Sequence, residues 1–146
     1  MTWESLAFSH VEDVQGSLTV EMMGQSMEMP YSARLQRSAD GRVGAVVADG
    51  PQGETWMFVS LVDGGGVYTQ PAPRPGDMDI DGDRLVTTPS TDRDGVLAAH
   101  LKAVGDDALA DGDALLEALR AGPQTAVRLA AEIMKRMAAG LAATKH

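Results

Sequence analysis

From residue 17 to residue 36 the chain alternates apolar and polar side chains at every second position. Leu18, Val20 and Met22 oppose Ser17, Thr19 and Glu21. After a turn at Gly24-Gln25, Met27, Met29, Tyr31, Ala33 and Leu35 oppose Ser26, Glu28, Ser32, Arg34 and Gln36. A period of two is that of a strand with one face buried and one wet. Pro30 falls on the polar side and has no N–H for a ladder, so the strand is expected to be an edge, or bulged, at that point. Asp40-Gly41 marks a hairpin, and residues 43–47 form the next strand. Residues 55–62, Thr-Trp-Met-Phe-Val-Ser-Leu-Val, are apolar on both faces, which suits a central strand. Asp63-Gly64-Gly65-Gly66 then turns the chain into Val67-Tyr68-Thr69. Residues 17–69 thus read as an antiparallel meander. Pro-Ala-Pro-Arg-Pro-Gly at 71–76 forms a stiff connector, and a short hairpin about Asp81-Gly82 closes with Leu85-Val86-Thr87-Thr88. Leu6, Phe8 and His10 alternate like a further strand, ending before Gly16.

After Pro89 the period becomes helical. Thr91 caps a helix over about 92–104, with Asp94 three residues on and Gly105 closing it. Leu97, Leu101 and Val104 share its inner face, which leaves His100 on an exposed flank. A second helix is expected over about 113–121, with Leu115, Leu116 and Leu119 inward and Gly122 at its end. Pro123 suits the first turn of a third, over about 124–143. There Val127, Ala130, Ile133, Met134, Met137 and Leu141 recur at three- and four-residue steps. Strands followed by helices argue for one α+β domain over 1–146. The expected architecture is an antiparallel meander of five to seven strands (about 5–88) with three helices packed on one face.

Charge changes the picture by what it excludes. The chain carries 12 Lys+Arg against 21 Asp+Glu, a net charge of −9. So acidic a protein repels phosphate backbones, and nucleic acid is not an expected partner. The charge is uneven. Residues 124–146 hold Arg128, Lys135, Arg136 and Lys145 against Glu132 alone, while residues 103–119 contain no base. With no cysteine there are no disulfides, thiolate metal sites or Cys nucleophiles. The first residues, Met-Thr-Trp-Glu-Ser-Leu, lack a basic stretch leading into an apolar run, and no segment approaches the roughly 20 apolar residues of a membrane span. A cytoplasmic protein with no membrane contact is the expectation.

Three features carry candidate chemistry. The first is Asp77-Met78-Asp79-Ile80-Asp81-Gly82-Asp83. Carboxylates at alternate positions followed by glycine match the front of a calcium loop, so Asp77, Asp79, Asp81 and Asp83 are candidate ligands for Ca²⁺. The match breaks at its twelfth position, where Thr88 stands in place of a bidentate Glu. The plainer reading is an acidic hairpin that deters edge pairing. The second is the methionine cluster, Met22, Met23, Met27 and Met29. Clustered thioethers make adaptable apolar surfaces for partners, or simply fill a core. The third is the last helix, basic and amphipathic, which suits a homo-oligomer interface as well as ordinary packing. No nucleophile elbow, zinc-protease motif or phosphate loop is present. The reading these features support is a non-catalytic binding or adaptor domain for a protein or small apolar ligand, with homodimerisation through the C-terminal helix. A calcium module and a small enzyme using carboxylate acid and base chemistry are the alternatives.

Overall fold

The computed structural model describes residues 4–22, 24–50, 53–71, 76–80, 82–88 and 92–143. Seven strands make one sheet: β1 (Ser9–Met22), β2 (Gln25–Arg37), β3 (Gly44–Gly50), β4 (Gly53–Val62), β5 (Gly65–Pro71), β6 (Gly76–Ile80) and β7 (Asp83–Thr88). Two helices follow, α1 (Arg93–Val104) and α2 (Gly112–Ala143). The strand order is β1-β2-β3-β4-β5-β7-β6.

This corrects the expected architecture in three ways. The sheet is mixed rather than a pure antiparallel meander, because β7 pairs with β5 in parallel. Beyond β5 the chain skips one strand position, runs back as β6 at the edge, and returns inward as β7. The reason lies in side chains. β7 places Leu85 and Val86 on opposite faces and both are buried, so it seeks an interior position. β6 carries Asp77 and Asp79, which suit an edge.

Secondly, the described residues form two helices, not three. The expected break at Gly122-Pro123 does not occur, and Pro123 lies inside α2. Leu115, Leu119, Gly122 and Leu129 are buried at steps of four, three and seven, so a single stripe passes straight through the proline. Gly122 serves packing rather than termination: a Cβ there would stand 2.9 Å from Met57 Cε and 3.2 Å from Val46 Cγ2. Its missing side chain lets α2 sit directly on the sheet.

Thirdly, the helices occupy opposite faces. Leu35, Met57, Val59 and Leu85 pack with Leu115, Leu119 and Leu129 of α2. Ala45, Val47 and Phe58 point the other way, onto Val96 and Leu97 of α1. β4, apolar on both faces, is therefore sandwiched between the helices. α1 is capped by the Asp92 carboxylate, which accepts from Asp94 N–H at 3.2 Å, and it ends at Gly105.

The Asp40 turn between β2 and β3 is fastened by side chains. Ser38 Oγ donates to Asp40 Oδ1 at 2.6 Å, and Arg42 N–H donates to the same oxygen at 3.1 Å. These donors hold the Asp40 carboxyl below the usual carboxylate range, against a smaller opposing effect of burial.

Candidate functional site

The β1–β2 hairpin is the longest in the sheet, and most of it is not part of a three-stranded structure. β3 pairs only with residues 33–37 of β2. From residue 32 back to the turn, β2 has β1 alone as its neighbour, so these two strands form a ribbon standing out from the sheet. Residues 25–30 are all exposed. Pro30, opposite Ser17, lies in this stretch, where β2 is locally an edge strand, as its missing N–H requires.

Alternation carries the apolar face of β2 along its whole length. Leu35 and Ala33 are buried beneath α2, and Tyr31 is half-buried. Met29 and Met27 continue the same face and are each 51% exposed. Across the ribbon, Met29 opposes Leu18 and Met27 opposes Val20. Next to the root of this arm, between α2 and the sheet, lies a cleft of about 410 Å³ bounded by Tyr31, Ala33, Val46, Met57, Pro123 and Ala126. The cleft and the arm share one face, so together they form a single apolar strip that starts beside the core and runs into solvent. Met23 lies outside the described residues, as does the side chain of Met22.

The acidic segment forms the β6–β7 hairpin. Asp79 is exposed and sits opposite Arg84, on the α1 face. Asp83 sits opposite Ile80, on the α2 face. Its Oδ1 accepts from Gly66 N–H at 3.1 Å, and its Oδ2 accepts from Arg128 Nη2 at 2.7 Å. Asp83 thus ties the β6–β7 turn to the β4–β5 turn and to α2. The two turns nearly touch: a Cβ on Gly65 would stand 1.7 Å from the Gly82 carbonyl oxygen. This contact requires glycine at 65, and the positive φ of 88° favours it at 64. Asp79 and Asp83 are not brought together. Asp81 lies outside the described residues, as does the side chain of Asp77. Among the described residues no group of three or more His, Cys, Asp and Glu side chains is arranged to hold a metal ion.

On the α1 face, Asp79 instead joins Asp63, Asp107 and Arg84 around a cleft of about 550 Å³ floored by Val62, Val67 and Val104. Arg84 Nη2 donates to the Ala103 carbonyl at 2.7 Å, fastening β7 to the end of α1. The three carboxylates are exposed.

His100 is where the sequence misled. The expected exposed flank is wholly buried, facing β4 and β5. Its Nε2 lies 2.7 Å from Ser60 Oγ and its Nδ1 lies 2.8 Å from Thr69 Oγ1. Ser60 Oγ donates its own proton to the Arg42 carbonyl at 2.7 Å. That pattern assigns the imidazole proton to Nε2, which donates to Ser60, and leaves Nδ1 accepting from Thr69. Burial pushes the His100 pKa down to about 3, and the nearby Arg84 charge adds to the effect. The pair has the spacing of a serine nucleophile and its base, but the proton runs from histidine to serine and neither group meets solvent. It is a neutral, satisfied polar link inside the α1 layer. The signal available in the sequence was Ser60 interrupting the apolar run of β4, a hydroxyl that needs a partner once buried.

Elsewhere, Arg120 bridges to Glu12 at 2.8 Å and to Glu117 at 3.0 Å, joining α2 to the bulged start of β1. No helix among the described residues is long and apolar enough to cross a membrane. Comparison with protein-family models, with curated proteins and with solved structures gives no match, so the site is understood through its own geometry.

Proposed function

We propose that the protein is a non-catalytic binding domain whose β1–β2 arm and adjoining cleft take a polypeptide segment with an apolar face. One observation carries this reading: the stripe that builds the core beneath α2 continues into Met29 and Met27, which stand half-exposed. A two-stranded ribbon on its own is marginally stable in water and gains from a third layer against its apolar face. Methionine suits such a surface, because its flexible and polarisable side chain adapts to varied partners. The same stripe supplies anchors at every second residue, and the cleft supplies a pocket at its root. The contacts that support the reading are apolar and demand no cofactor.

The test uses a fluorescent dye that brightens on apolar surfaces, 1-anilinonaphthalene-8-sulfonate, with dilute folded protein. The expected result is bright binding that Met27→Glu with Met29→Glu removes, while thermal unfolding of the two proteins coincides. Dye binding unchanged in the double variant would overturn the assignment of the site to the arm.

A further inference from the structure

We propose that the outer edge of β1 is an assembly surface and that its occupant is a second copy of this chain. The two β1 strands pair antiparallel about a two-fold axis at Leu18, joining the two arms into one four-stranded sheet.

The ladder shows which backbone groups of β1 face outward. Among the described residues β1 pairs with β2 alone and ends the sheet. Ser38 N–H donates to the Val43 carbonyl at 2.8 Å. By alternation residues 36 and 34 then exchange bonds with β3, while 35, 33, 31, 29 and 27 turn toward β1. Their partners on β1 are 12, 14, 16, 18 and 20. The N–H and C=O groups of Asp13, Gln15, Ser17, Thr19 and Glu21 therefore point away from β2, and all five residues are exposed.

The two edges of the sheet differ in protection. β6 is five residues long and carries Asp77 and Asp79, and a short acidic edge resists pairing. β1 is 14 residues long, and residues 14–20 contain no charge and no proline. Its bulge, between His10 and Glu12, lies at the root rather than on the arm. Three or more strands are needed where a ribbon must be stable outside a core, and the arm has two. The unprotected edge thus lies where the sheet most lacks a further strand.

The outward side chains select the occupant and its register. In a chain of net charge −9, two copies meet most readily where no acids face each other. A pairing centred on Ser17 sets Asp13 against Glu21 of the second copy, and like charges directly opposite are destabilising. A pairing centred on Gly16 carries Glu21 onto the bulge beside Glu12. A centre at Leu18 avoids both. It sets Ser17 against Thr19 and Gln15 against Glu21, an amide against a carboxylate, and every contact is made twice. Ser17 Oγ already donates to Glu28 Oε1 at 2.6 Å, so it meets Thr19 as an acceptor. Roughly eight main-chain hydrogen bonds close in this register. They supply the affinity, and the side-chain pairs supply the specificity. The axis is perpendicular to the sheet, so both arms keep Met27 and Met29 on one side. The pairing uses the edge and not that apolar face, so it stands independently of the function proposed above.

The test is sedimentation velocity over a concentration series with four proteins: the natural chain, Gln15→Glu, Gln15→Glu with Glu21→Lys, and Thr19→Pro. Circular dichroism confirms that each is folded. The natural chain is expected to dimerise. Gln15→Glu sets carboxylate against carboxylate on both sides of the axis and should weaken the dimer about tenfold. Adding Glu21→Lys should restore it. Within one chain residues 15 and 21 stand about 20 Å apart along the strand, beyond the screening length of about 8 Å, so restoration can come only from the second copy. Thr19→Pro removes an N–H that faces away from β2, so the dimer should be lost while the fold persists. A chain that is monomeric at every concentration overturns the proposal, as does a dimer that all three variants leave unchanged. A dimer weakened by Gln15→Glu and not restored by Glu21→Lys overturns the pairing centred on Leu18. Dye binding through Met27 and Met29, followed in parallel, reports the apolar face separately, so either reading can fail alone.

Discussion

The two halves of β2 have the same sequence pattern and opposite fates. In residues 33–37 the alternation puts Ala33 and Leu35 under α2, where they are 4% and 0% exposed. In residues 25–32 the same alternation puts Met27 and Met29 on the same face, and each is 51% exposed. The difference is one of cover. α2 and β3 shield the first half, and Met27 and Met29 are left open. Hydrophobic periodicity identifies a face; what covers that face is decided by elements far away in the chain.

The strongest way to break this comparison is to empty the covered half. Leu35→Ala removes a fully buried side chain packed with Leu115 and Leu119, and should cost about 2–5 kcal/mol in denaturant unfolding. A cost below about 1 kcal/mol would mean that α2 does not seat on this strand.

The opposite face offers a second test through acid. His100 is neutral in the fold, with its pKa lowered from 6.5 to about 3. The unfolded chain takes up a proton on this residue below about 6.5, whereas the folded chain does so only near 3, so unfolding binds a proton throughout that window. This contribution is therefore fully present above pH 6.5 and is lost as the pH falls toward 3. By about pH 5 the loss is about 2 kcal/mol, at ~1.4 kcal/mol per pH unit. Urea midpoints measured across this range should fall more steeply for the natural chain than for His100→Gln. Parallel slopes would show that the imidazole is not buried in neutral form.

Smaller effects sharpen the contact between α2 and β7. Asp83→Ala gives up the Gly66 N–H acceptor and the Arg128 partner. Arg128 is 44% exposed and Asp83 26%, so the ion pair is largely screened and the hydrogen bond dominates. The expected loss is about 1 kcal/mol. Hydrogen exchange should quicken at Gly66 while the β2–β3 amides stay protected. The smallest stability effect belongs to the open half: Met27→Thr with Met29→Thr should move unfolding by no more than about 0.5 kcal/mol, while dye binding falls sharply.

Much of the sheet was legible in the sequence because strand pairing there is local. The alternation of β1 and β2, the hairpin at Asp40-Gly41 and the apolar β4 all follow from neighbouring residues. What stayed hidden was long-range or read from punctuation alone. Gly122-Pro123 looks like a stop followed by a start, yet Gly122 is small because Met57 and Val46 lie against it. The parallel β5–β7 pairing depends on which strand of a hairpin turns inward, and a run of letters does not state that. His100 looked exposed because its helix neighbours are alanines, while its two partners, Ser60 and Thr69, are 40 and 31 residues away. The methionine cluster was visible as a candidate site. Whether Met27 and Met29 filled the core depended on how far α2 and β3 extend over the hairpin.

The most direct test of the central contrast is methionine oxidation by dilute peroxide, read peptide by peptide in a mass spectrometer. Thioether oxidation follows exposure. In protein dilute enough to be monomeric, Met27 and Met29 should oxidise as fast as methionine in a free peptide, while Met57, 6% exposed beneath α2, stays protected until the protein unfolds. Equal protection of Met27, Met29 and Met57 in the dilute monomer would contradict the account, because it would mean that the chain covers the whole of the β2 face itself.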